Sequence, residues 1–113
     1  MANDKLTEFL HRVLQRTLDG EISWKETADE DTFLAEFHNG AVLIARKEHA
    51  MPDDVPVPIV RYLEATLLNK QGRIVEEFVP HEDDVDWMTD LYDRARLSAR
   101  KGDSVIDELL KEV

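Results

Sequence analysis

The stretch TFLAEFHNGAVLIAR, residues 32–46, decides the fold. Two apolar segments flank Asn39-Gly40, the strongest short signal for a hairpin, because a tight two-residue turn asks for positive φ at both positions. A loop at Asn39-Gly40 sets the register, so that Phe37 faces Val42 and Ala35 faces Ile44. With Phe33 these residues make one apolar face. The opposite face carries Leu34, Leu43 and Ala45 beside Glu36 and His38, so the hairpin is apolar on both sides near its middle.

Upstream, EISWKET (21–27) alternates, with Ile22 and Trp24 on one side and Ser23 and Lys25 on the other; it reads as a strand that enters the hairpin through the acidic turn Ala28–Asp31. Downstream, residues 47–58 hold three of the four prolines and no periodicity, and read as a long surface connection. Residues 59–68 and 73–79 then form a second hairpin around Asn69-Lys70-Gln71-Gly72. Pairing Leu68 with Arg73 puts Leu63 opposite Phe78 and Leu67 opposite Ile74.

Helical periodicity appears at both ends. Leu6, Phe9, Leu10, Val13, Leu14 and Leu18 predict an amphipathic helix over 4–18, with Asn3 or Asp4 as its cap and Asp19-Gly20 as a left-handed stop. After Pro80, the carboxylates of Glu82-Asp83-Asp84 are placed to cap a helix and complement its dipole. Its buried stripe is Val85, Met88, Leu91, Tyr92, Ala95 and Ala99, and it runs to about residue 100. Gly102 breaks it, and Asp103 or Ser104 caps a short final helix carrying Ile106, Leu109, Leu110 and Val113 on one side. The expected fold is a single α+β domain: an N-terminal helix, an antiparallel β-meander of about five strands, a long C-terminal helix and a short final one. The first and the long helix pack on one face of the sheet.

A chain of 113 residues fits one domain and buries roughly 65% of its unfolded surface. It has no cysteine, which removes disulfides, thiolate metal sites and cysteine nucleophiles. No basic segment followed by an apolar run opens the sequence, so a cytoplasmic location is expected. Asp and Glu number 25 against 14 Lys plus Arg, a formal charge of −11. That balance favours solubility and repels phosphate backbones, so nucleic acid is not an expected partner. It also suits a cell with high internal salt. The longest apolar runs, such as Ala41–Ala45, fall far short of the roughly 20 residues of a membrane span, so a membrane is not an expected partner either.

The pieces L-x-x-T-x-x-G-E-I-x-W (Leu14 to Trp24), N-x-x-G within Tyr62 to Val79, and L-Y-x-x-A-R-x-x-A (Leu91 to Ala99) followed by I-D-x-L-L (Ile106 to Leu110) occur in one order. In this the chain resembles small uncharacterised prokaryotic α+β proteins. The resemblance covers most of the chain and implies the layout; it brings no activity, cofactor or site residue with it.

Catalytic and metal signatures are missing from the sequence. His11, His38, His49 and His81 form neither H-x-x-x-H nor H-E-x-x-H, and Asp29-Glu30-Asp31 lacks the glycine and glutamate of a calcium loop. No G-x-S-x-G elbow, phosphate loop or dinucleotide fingerprint occurs. Glu64 and Glu76 fall on opposite faces. The expectation is a chain that is not an enzyme and uses no cofactor. It acts by protein–protein contact, with a homodimer as the first form of that contact. The surfaces expected to carry it are Leu34 and Leu43 on the outer sheet face, Trp87 with Arg94 on the flank of the long helix, and Arg12 with Arg16 on the first helix. Trp24 is expected in the core. The alternatives are a small-ligand pocket between the sheet and the 47–58 segment, lined by Tyr62, Met51 and Trp24, or an acidic inhibitor that mimics nucleic acid with a stripe of carboxylates.

Overall fold

The computed structural model describes residues 4–54, 56 and 59–113. Helix α1 (Asp4–Leu18) is followed by strands β1 (Lys25–Glu26), β2 (Thr32–Phe37), β3 (Gly40–Ala50), β4 (Ile59–Asn69) and β5 (Ile74–Phe78). A 3-10 turn (Glu82–Asp84), α2 (Val85–Ala99) and α3 (Gly102–Leu110) complete the chain. The strands form one antiparallel sheet in the order β1-β2-β3-β4-β5. The architecture is the expected α+β meander.

Helix α1 occupies the expected residues, and its stop has a clear cause. Gly20 takes φ 78°, its N–H donates to the Thr17 carbonyl and the Glu21 N–H donates to the Arg16 carbonyl, the two bonds of a Schellman cap. Asn3 and the side chain of Asp4, the expected N-caps, lie outside the described residues. Leu10 and Val13 of α1, Phe33, Ala35, Val42, Ile44, Ala65 and Phe78 of the sheet, and Met88, Leu91, Tyr92 and Ala95 of α2 make one core. Both long helices therefore cover the same sheet face. Trp24 is buried in this core as expected. Its indole N–H donates to Thr17 Oγ1 (3.1 Å), whose hydroxyl donates to the Val13 carbonyl (2.7 Å). Its backbone N–H donates to Ser98 Oγ (3.0 Å) and so leaves the sheet, which is why β1 has two residues and not seven.

The first hairpin keeps the expected faces but not the expected turn. Phe37 pairs with Gly40, Ala35 with Val42 and Phe33 with Ile44, so the loop is His38-Asn39. Neither Asn39 nor Gly40 has positive φ. Gly40 is needed for another reason: a Cβ there would run into the Leu68 carbonyl of β4, which pairs alongside. The two-residue shift preserves the side-chain alternation. We expect Gly40→Ala to cost about 1–3 kcal/mol in urea unfolding, because the strands must part. Asn39→Ala should cost under about 0.5 kcal/mol. The reverse order of effects would restore the positive-φ turn.

In the second hairpin, Asn69 Oδ1 accepts from the N–H groups of Gln71 and Arg73, and Gly72 takes φ 80°. Leu68 then pairs with Ile74, a bulge follows, and Leu67 and Ala65 face Glu76 and Phe78. The expected pairs of Leu68 with Arg73, Leu67 with Ile74 and Leu63 with Phe78 are thereby corrected: the turn brings Asn69 to Arg73, one residue off the expected register, and the extra residue at the bulge adds a second. Strand β3 also runs on to Ala50, four residues into the expected connection. Lys47 and Glu48 pair with Tyr62 and Arg61 and form cross-strand ion pairs, Lys47–Glu64 (2.6 Å) and Glu48–Arg61 (3.0 Å). Here β3 and β4 project past both neighbours as a two-stranded ribbon.

The helix ends differ from expectation too. Neither the 3-10 turn nor α2 has a side-chain cap; the Asp84 carboxylate accepts instead from the Trp87 indole (3.0 Å). Val85, expected in the buried stripe, is 44% exposed. The break between α2 and α3 falls at Lys101, in the left-handed region with φ 55°. Gly102 opens α3, where a Cβ would meet the Leu97 side chain. Ser104 and Asp103 lie inside α3 and are not its cap position.

Candidate functional site

Leu34 and Leu43 come together. They are directly paired across β2 and β3, next to Thr66 of β4, on the face away from α1 and α2. Small residues lie between larger ones there: Ala45 and Thr66 are buried, while Leu34, Leu43 and Leu68 are half-buried. Ile74, 62% exposed, pairs with Leu68 on this face. Val75 sits at the bulge and lines a shallow depression with Phe9, Phe37 and Leu67. Lys25–Glu36 (2.6 Å) and Lys47–Glu64 (2.6 Å) frame the patch with ion pairs. Among the described residues, no helix covers it.

A second apolar surface belongs to α3. Val105, Ile106, Leu109 and Leu110 are each more than half exposed, and Val113 beyond the helix is fully exposed. Among the described residues, α3 contacts α2 and no strand. A two-residue junction, Arg100-Lys101, holds it at the end of α2. It therefore does not reach the outer face within its own chain. The radius of gyration, 15.8 Å against roughly 13 Å for a compact domain of this length, reflects the ribbon and α3 extending from the body.

The expected Trp87–Arg94 flank is not an open pair. Trp87 stacks on His11 of α1 (ring centroids 4.1 Å) and Phe78 (5.8 Å), which closes the junction of α1, α2 and β5. Arg94, two helical turns on, lines a depression with Gly20, Leu97 and Lys101. Arg12 and Arg16 are exposed on α1; Arg12 pairs with Glu8 at 3.5 Å, a surface contact of small energetic weight.

A polar cluster that the sequence reading did not identify lies at the base of the projecting ribbon. Asp31, in the left-handed region with φ 57°, accepts from Arg46 (3.3 Å) and from the Tyr92 hydroxyl (3.3 Å), with Arg100 at 3.9 Å. Its carbonyl accepts the Arg46 backbone N–H (3.0 Å). Aspartate tolerates this backbone region better than most residues, and the network holds it there. Arg100 also donates to Glu26 and lies over the Phe33 ring. The hydrogen bond to Asp31 holds the Arg46 guanidinium above its ordinary value. Burial, aided by the Asp31 charge, raises the Tyr92 phenol. The only sequence signal for this cluster was the acidic turn itself.

A raised phenol pKa means the folded state keeps its proton longer than the unfolded chain. The associated stability is complete below the unfolded tyrosine value of about 10 and is lost as pH rises through the folded one. Urea midpoints should therefore fall with pH above about 10, and Tyr92→Phe should flatten part of that fall. An unchanged slope in Tyr92→Phe would remove Tyr92 from the alkaline transition.

Beside this cluster is a cleft of about 350 Å³ between the ribbon, the Val79-Pro80 segment and the first turns of α2. It is not the expected pocket between the sheet and the 47–58 segment: Tyr62 lines it, but among the described residues Trp24 is in the core and Met51 is not in the lining. Among the described residues, no group of three or more His, Asp or Glu side chains converges to hold a metal ion, and no helix is long and apolar enough to cross a membrane. Glu64 and Glu76 do face opposite sides of the sheet. No protein-family model, curated protein or solved structure matches the chain.

Proposed function

We propose that the chain is a protein–protein interaction module that acts as a homodimer, in which α3 of each copy lies on the outer sheet face of the other. The observation that carries this reading is the coexistence of two apolar surfaces, one on a sheet and one on a helix, that no contact among the described residues brings together. A sheet face is commonly buried by a helix, and the exposed stripe of α3 has the matching chemistry. A two-fold arrangement uses each contact twice, which brings two modest patches toward the roughly 1,200–2,000 Å² of a stable interface. Clusters of exposed apolar side chains on a soluble domain mark contact sites.

The direct test of the sheet surface is Leu43→Glu, followed by sedimentation velocity. The charge lands in the centre of the patch, between Leu34 and Thr66, and should shift the population to monomer without altering the circular dichroism spectrum. An unchanged dimer population would remove the outer face from the interface.

A further inference from the structure

We propose that the cleft between the ribbon and α2 binds a small organic monoanion with an apolar body, such as a carboxylate carrying an aromatic or branched hydrocarbon group. The cleft lies on the helix-bearing side of the sheet and is separate from the dimer surface proposed above, so both can be occupied at once. Its volume of about 350 Å³ falls within the range of small-molecule sites. Leu63, Val79, Pro80 and Val85 give it apolar walls, and Tyr62 and Tyr92 contribute to its lining. Such a surface favours a hydrocarbon group over water.

Two arginines supply the anion contact. Arg46 and Arg61 both line the cleft, one on each strand of the ribbon. Each is committed through one nitrogen: Arg46 to Asp31 at 3.3 Å, and Arg61 through Nε to Glu48 at 3.0 Å. A guanidinium has five donors, so both retain N–H groups for a ligand carboxylate. The placement is selective in a chain of net charge −11. Four of its eight arginines, 46, 61, 96 and 100, gather around Tyr92 and the adjoining ribbon. Asp93, also in the lining, opposes a second negative charge. This favours a monoanion over a phosphate dianion.

The test uses the full chain, labelled with ¹⁵N, and 4-phenylbutyrate as the probe, with its neutral amide and inorganic phosphate as comparisons. Amide resonances of Leu63, Val79, Val85 and Thr89 should move with the carboxylate. Its affinity should exceed that of the neutral amide by about tenfold, because only the carboxylate brings a negative charge to the guanidinium groups, whereas the amide carbonyl offers them a neutral acceptor. Arg61→Met, which removes an exposed ion pair and leaves the core intact, should reduce the affinity several-fold. Val85→Trp should fill the cleft and abolish the shifts. Equal affinity for the neutral amide would overturn the anion contact, and stronger shifts with phosphate would overturn the monoanion class. Shifts confined to α3 and the outer face, no shifts at all, or indifference to both substitutions would overturn the site.

Discussion

Replacing Phe33 with alanine should remove about 3–5 kcal/mol of folding stability, the loss typical of a buried phenylalanine whose cavity does not collapse. Phe33 is 1% exposed and sits where every layer of the fold meets. It pairs with Glu26 on one side and Ile44 on the other, packs its ring 5.7 Å from that of Tyr92, and carries the Arg100 guanidinium 5.3 Å away. Truncation therefore empties the space between sheet and α2, and also leaves the Arg100 side chain without its platform. Against a total stability of about 5–15 kcal/mol, the variant should be marginal at room temperature. Phe33→Leu, which keeps most of the volume, should recover more than half of the loss. Urea unfolding at constant m-value is the appropriate measurement. A loss below about 1.5 kcal/mol would mean that the core is not centred on β2 and α2.

The second large effect concerns association. Ile106→Asp with Leu110→Asp should lower dimer affinity by about a hundredfold or more, since two buried carboxylates replace apolar contacts. The monomer should stay folded, because both residues are more than half exposed in the single chain. Mixing this variant with Leu43→Glu provides the sharper result. In the mixed pair, one intact α3 meets one intact sheet, whereas each variant alone has both contacts damaged. The heterodimer should therefore be tighter than either homodimer, which a sheet-on-sheet or helix-on-helix dimer does not predict. Each copy carries −11, so added salt should tighten the association by screening the repulsion.

The sequence revealed the architecture to the extent that each signal was local. The bounds of α1 followed from the spacing of Leu6, Leu10 and Val13 and from Gly20, and the structure keeps them. The meander followed from alternation, and the faces of Phe33, Ala35, Val42 and Ile44 survived a two-residue shift in register because side chains repeat every two residues. What was not legible depended on a third element. Gly40 looks like a turn residue until β4 is seen beside it, with the Leu68 carbonyl where a Cβ would be. The extension of β3 to Ala50 carries no apolar alternation, since cross-strand ion pairs rather than burial accompany it. Trp87 lies off the apolar stripe of α2, and its cover is the imidazole of His11, a residue that no hydropathy pattern marks.

The same distinction separates the two candidate surfaces. Leu34 and Leu43 were visible as the outer face of a hairpin that was apolar on both sides, and the structure leaves them uncovered among the described residues. The cleft was not visible, because its arginines come from the polar end of the ribbon and its walls from Val79, Pro80 and α2. The acidic turn that supplies Asp31 reads in sequence as a solvated loop. In the fold it anchors Arg46 and Tyr92 and lies within 4 Å of Arg100, tying the first hairpin to α2.

If one copy's α3 covers another copy's sheet, the native mass of the unmodified chain must report it. Sedimentation equilibrium across a wide concentration range should show a species of about 26 kDa, twice the 13.1 kDa chain, dissociating only on dilution. A mass of 13.1 kDa that persists at the highest concentration and in added salt would contradict it.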